Sequence, residues 1–135
     1  MSTHLITGKF FTFPVVLITG GNKNMKSSEI YLPATKERCP LPQFSEERLG
    51  HSQDGALTCG GKYTKTCVTW NPSSGTWKLS HTLTGTENRM DHVSWEAASG
   101  VYLIGGYYTK SRWTSERVNK DGSVVESFRL KYETR

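Results

Sequence analysis

The stretch ALTCGGKYTKTCVTW, residues 56–70, runs a short apolar segment into two glycines, crosses a polar turn and begins a second strand-like segment. The same shape recurs in VVLITGG (15–21) and VYLIGG (101–106). One glycine pair means nothing by itself. Three pairs, Gly20-Gly21, Gly60-Gly61 and Gly105-Gly106, lie 40 and 45 residues apart and define an internal repeat.

The flanks repeat with the pairs. A polar loop follows each pair, then a strand: SSEIYLP (27–33), TCVTWNP (66–72) and SERVNK (115–120). Tyr31, Trp70 and Val118 take equivalent places, and Pro33 and Pro72 stay in register. Turn residues come next, as ATKE (34–37), SSG (73–75) and KDG (120–122), and then RCPL (38–41), TWKLS (76–80) and SVVESFRL (123–130). RLGH (48–51) and RMDH (89–92) share Arg-x-x-His, each Arg following the preceding glycine pair by 27 and 28 residues. Arg135 follows Gly106 by 29, and His4 offers a weaker first match.

Each unit therefore reads as four short strands. In the second unit they are expected at 49–54, 56–60, 66–71 and 76–80; in the third, at 90–96, 100–105, 113–119 and 123–130. No segment carries a sustained helical period. The fold class is all-β.

With 135 residues the chain can bury one modest core. The net charge of +5 is scattered rather than striped, which argues for a solvated surface and against nucleic acid. No apolar stretch approaches the roughly 20 residues of a membrane helix. The N-terminus is not a secretory signal, since Lys9 and Pro14 interrupt its apolar part; the chain is expected to be cytoplasmic or to lack its native start. Cys39, Cys59 and Cys67 form no CxxC pair, a poor zinc pattern. Cys59 and Cys67 flank one expected turn, so free core thiols and a cross-strand disulfide both remain open.

The arrangement resembles the kelch repeat. The shared features are a glycine doublet closing the second strand, an aromatic nine or ten residues on, a tryptophan near Gly75-Thr76-Trp77, and a basic residue opening the next unit. The resemblance spans nearly the whole chain and is best in the second unit; Cys39 and Val125 stand near the Trp77 position in the other two. It implies a β-propeller of four-stranded antiparallel blades, approximately 1–47, 48–88 and 89–134. Three blades do not close a ring. The expectation is an incomplete propeller, a fragment completed by missing blades, or by self-association of half-propellers. Val16, Ile18, Tyr31, Val118, Val125 and Phe128 are then expected on the uncovered outer faces. Trp77 is expected buried in blade packing, and Arg48 and Arg89 are expected to hydrogen-bond backbone between blades.

Kelch-type propellers also carry enzymes, galactose oxidase with its copper site among them. His4, His51, His81 and His92 supply no His-x-His pair, and His51 and His92 hold equivalent repeat positions. No Gly-x-Ser-x-Gly turn, P-loop or dinucleotide fingerprint occurs. No catalytic residues, cofactor or metal are expected. The loops NKNMKSS, KYTKT and YYTKSRW gather at one end of such a fold, and Tyr-Thr-Lys recurs at 63–65 and 108–110. Lys62, Tyr63, Lys65, Tyr107, Tyr108 and Lys110 are the candidate binding residues, for a protein or peptide ligand. The alternatives are a non-catalytic piece of a galactose-oxidase-like enzyme or an extracellular recognition module.

Overall fold

The computed structural model describes residues 2–6, 15–85, 88–108, 111–119 and 125–131. Their strands form three antiparallel sheets of four, each strand pairing with its neighbour in sequence. The first sheet holds β1 (Ser2–Ile6), β2 (Val15–Thr19), β3 (Ser28–Leu32) and β4 (Glu37–Pro40). The second holds β5 (Ser52–Asp54), β6 (Leu57–Cys59), β7 (Thr66–Asn71) and β8 (Thr76–Thr82). The third holds β9 (Val93–Ala97), β10 (Gly100–Ile104), β11 (Thr114–Val118) and β12 (Val125–Arg129). The one helical element among the described residues is a 3₁₀ turn, Ser111–Trp113. The opening strands β5 and β9 each start three residues later than the sequence reading, because Arg48–His51 and Arg89–His92 form the junctions between sheets.

The turns repeat as the sequence does. Lys36 N donates to Leu32 O at 2.7 Å and Gly75 N donates to Asn71 O at 2.9 Å. Lys36 (φ 59°) and Gly75 (φ 66°) both sit in the left-handed region at the same turn position. The third such turn, 120–122, lies outside the described residues.

Strand alternation sets the packing. On β2, Val15, Leu17 and Thr19 are buried while Val16 and Ile18 are half-buried. Val15, Leu17 and Ile30 form one core cluster, against which Trp77 of the second sheet packs. The second sheet presents opposite sides to its neighbours: Thr58, Val68, Trp70 and Trp77 share one face through their pairings, and Cys59 and Cys67 the other. Cys59, Cys67 and Leu83 then pack with Val101, Leu103 and Val118 of the third sheet. Each sheet thus covers the next with the same polarity.

Among the described residues, one face of the first sheet and one face of the third have no other sheet packed on them. On the first sheet the face holds Val16, Ile18 and half-buried Tyr31. On the third it carries an aromatic row in which Tyr102 lies 6.0 Å, ring to ring, from both Trp95 and Phe128. Val93 and Trp95 there are 64% and 61% exposed. Val118 is not part of an outer face: it pairs with Val101, points into the core between the second and third sheets and is fully buried. The side chain of Val125 lies outside the described residues. Trp77 is half-buried rather than buried. Its ring sits 4.6 Å from Phe44 and 5.5 Å from Trp70, and its Nε1 donates to Ser28 Oγ and Pro42 O. The polar edge of the indole stays where it can use those acceptors.

Candidate ligand-binding rim

The glycine pairs end β2, β6 and β10, and their backbone explains them. The first glycine of each pair has φ between 62° and 70°, and the second between 121° and 147°. Side-chain-bearing residues avoid both regions. Space is also denied. A Cβ on Gly20 would lie 2.8 Å from Arg48 O, and one on Gly60 2.8 Å from Arg89 O. The doublet is where the backbone opening the next unit crosses.

That crossing segment carries the Arg-x-x-His motif. Arg48 N donates to Met25 O of the preceding loop, while its guanidinium donates to Gly60 O, Thr66 O and Thr66 Oγ1. Arg89 does the same one unit later: its O accepts from Gly61 N, and its guanidinium reaches Gly105 O, Ser111 O, Thr114 O and Thr114 Oγ1. The arginine side chains therefore bond within the unit they open, not between blades; the main chain makes the inter-unit contact. Residues 50 and 91 of the motif both adopt positive φ, 66° for Gly50 and 54° for Asp91, and Asp91 N donates to Gly50 O.

Burial governs the charges here. Burial drops the Arg48 guanidinium to about 10, with Glu46 opposing. Glu46 is itself pushed up by burial, but the hydroxyls of Thr64 and Thr66 and the Arg48 charge outweigh this and hold it low. His51 is lowered to about 4 by burial and then by Arg48. His92 is lowered to about 3 by burial and then by Arg89. Each imidazole reaches back to a hydroxyl of the preceding sheet, His51 Nε2 to Thr19 Oγ1 at 2.8 Å and His92 Nε2 to Ser52 Oγ at 2.6 Å. Through these bonds each histidine joins its own unit to the preceding sheet.

The loops beyond the glycines form the rim. Lys62 N donates to Leu49 O, Asn88 Nδ2 donates to Lys62 O, and Tyr107 N donates to Met90 O. The second and third loops consequently hang from one segment, 88–91. Lys62 Nζ lies 5.3 Å from the ring centroid of exposed Tyr63, and the Tyr107 and Tyr108 rings meet at 5.6 Å. Lys65 stands apart from these tips, at the strand edge, where its O accepts from Leu83 N. Lys110 lies outside the described residues.

A cavity of about 440 Å³ opens beside Tyr107, lined by Asp91, Gly106, Tyr107 and Arg112. Arg112 Nε donates to the Tyr107 backbone carbonyl at 3.0 Å, tying the two lining residues together. Asp91 and Arg112 were not singled out from the sequence. The signal for Asp91 was its place in Arg-x-x-His, where a left-handed residue turns its side chain outward; Arg112 had only its loop. The rim offers aromatic faces, ammonium and guanidinium groups, and one carboxylate.

Comparison with known proteins finds no family model that matches the chain and no matching curated protein.

Proposed function

We propose that the chain is a kelch-like propeller segment that recognises a protein or peptide ligand through the loops after β2, β6 and β10, without catalysis. The observation that carries this is the exposure of Tyr63 (50%) and Tyr107 (59%) on loops that both hydrogen-bond to segment 88–91. Exposed aromatics on a fixed frame present contact area at low entropic cost, and basic neighbours favour an acidic partner. The sequential four-stranded sheets, stacked with one polarity, support the blade reading. The Cys59–Cys67 disulfide favours the extracellular variant of the same function, because such bonds persist in oxidising compartments.

Selection from a displayed peptide library tests the proposal. Acidic peptides should be enriched. Tyr63→Ala and Tyr107→Ala should each weaken their binding about tenfold or more, and Tyr31→Ala on the first sheet should leave it unchanged. Enriched peptides that tolerate both loop substitutions would overturn the assignment.

A further inference from the structure

Three metal-binding side chains meet on one face of the second sheet. Cys59 pairs with Cys67 across β6 and β7, and Cys67 pairs with His81 across β7 and β8. Their two sulfurs and a ring nitrogen of His81 all lie within 4.8 Å of one another. The disulfide joins the sulfurs in the present state.

The local backbone is built to bring the histidine there. Val68 pairs with Leu79, so regular pairing would set Ser80 opposite Cys67. A bulge between these pairs inserts one residue and sets His81 there instead. Bulges commonly re-aim a side chain in this way. Ser80 then faces the His81 ring, with Oγ 3.0 Å from Nδ1. An Nδ1–H donating to that hydroxyl leaves the Nε2 lone pair free. Nε2 is buried and has no hydrogen-bond partner among the described residues. A metal-bound histidine shows this arrangement, one nitrogen steadied by an oxygen and the other facing the ion.

We propose that reduction of the Cys59–Cys67 disulfide converts this cluster into a zinc site with Cys59 Sγ, Cys67 Sγ and His81 Nε2 as ligands. A dithiol reductant supplies two electrons and two protons; the S–S bond breaks, two thiols form, and the reductant becomes a disulfide. Zn²⁺ then displaces the two thiol protons, which leave to solvent. The sulfurs separate to about 3.8 Å, as zinc–sulfur bonds of about 2.3 Å require in tetrahedral geometry. Two thiolates neutralise the dication. A neutral complex suits the surroundings, since Leu83, Val101, Leu103 and Val118 pack around the cysteines. The second sheet is then held to its core by a covalent bond under oxidising conditions and by a metal ion under reducing ones.

The test uses the full chain carrying Cys39→Ser, because Cys39 is an exposed free thiol that would bind metal itself. Cadmium replaces zinc as the probe, and its thiolate charge-transfer absorption reports ligation. The reduced protein should take up one equivalent and the oxidised protein none. His81→Ala should weaken uptake at least about tenfold. Failure of the reduced protein to bind cadmium, or undiminished binding by a folded His81→Ala variant, would overturn the proposal. Should that variant not fold, X-ray absorption at the zinc edge of the reduced, zinc-loaded protein decides: two sulfurs with an imidazole support the site, and a sphere without imidazole contradicts it.

Discussion

Gly60 and Arg89 meet backbone to backbone: the Arg89 carbonyl lies 2.8 Å from where a Cβ on Gly60 would stand, and it accepts the N–H of Gly61 at 2.8 Å. The glycine doublet is therefore the seat of the next unit as well as the end of a strand. The two effects separate by substitution. Gly75 has nearly the same φ but nothing within 4 Å of its virtual Cβ. Gly75→Ala should cost about 1–2 kcal/mol of left-handed strain. Gly60→Ala adds a backbone clash and should cost at least about 1 kcal/mol more. Lys36→Gly, at the equivalent turn of the first unit, should stabilise by about 1 kcal/mol. Urea denaturation measures all three.

Arg89 and Glu116 form an ion pair with both side chains almost fully buried. Glu116 Oε1 also accepts from Thr84 N and Oγ1 and from Gly85 N, so its charge is fully engaged. Arg89→Ala leaves that carboxylate uncompensated in the interior and should cost about 3–5 kcal/mol. Arg38, exposed and paired with Glu29, should cost under about 1 kcal/mol when truncated. Comparable losses at the two sites, read from denaturation midpoints, would contradict the burial assigned to Arg89.

The buried histidines should make the fold acid-labile. His51 and His92 have folded-state values near 4 and 3, below the ordinary 6.5. Above pH 6.5 both states are neutral and the residues contribute no pH dependence. Below it the unfolded chain gains protons that the folded chain refuses. Stability should fall from pH 6.5 down towards 4 by about 1.4 kcal/mol per pH unit for each histidine. Thermal melts across that range should show a slope that His92→Gln reduces by up to about 1.4 kcal/mol per pH unit. An unchanged slope would mean that His92 is protonated in the folded state.

The repeat, the four-strand units and the all-β class were legible because glycine pairs, prolines and Arg-x-x-His recur at fixed spacing. The direction of the arginine bonds was not. Arg48 has Glu46 two residues before it, whereas Arg89 is matched by Glu116, 27 residues later, so no spacing announces the carboxylate. The inward side of Val118 depended on its register with Val101, which a strand read alone does not fix. Tyr63 and Tyr107 were legible as loop aromatics; the Asp91–Arg112 lining of the neighbouring cavity was not, since a turn in the main chain brings those residues together. The role of His81 was hidden by the bulge at Ser80, which shifts the alternation by one residue.

Among the described residues, the stacking leaves one face of the first sheet and one face of the third without a covering sheet. The third sheet offers Val93, Trp95, Tyr102 and Phe128, and the first offers Val16, Ile18 and Tyr31. Apolar surface of this kind associates or aggregates when left in water. A second copy, set head to tail, would cover each face as the second sheet covers its neighbours. Sedimentation velocity over a concentration series measures this most directly, on the wild-type chain and on Trp95→Glu. Stacked sheets with open end faces should associate increasingly with concentration, and Trp95→Glu should abolish the association. A wild-type chain that stays monomeric at every concentration, with a cooperative melt, would contradict this stacking.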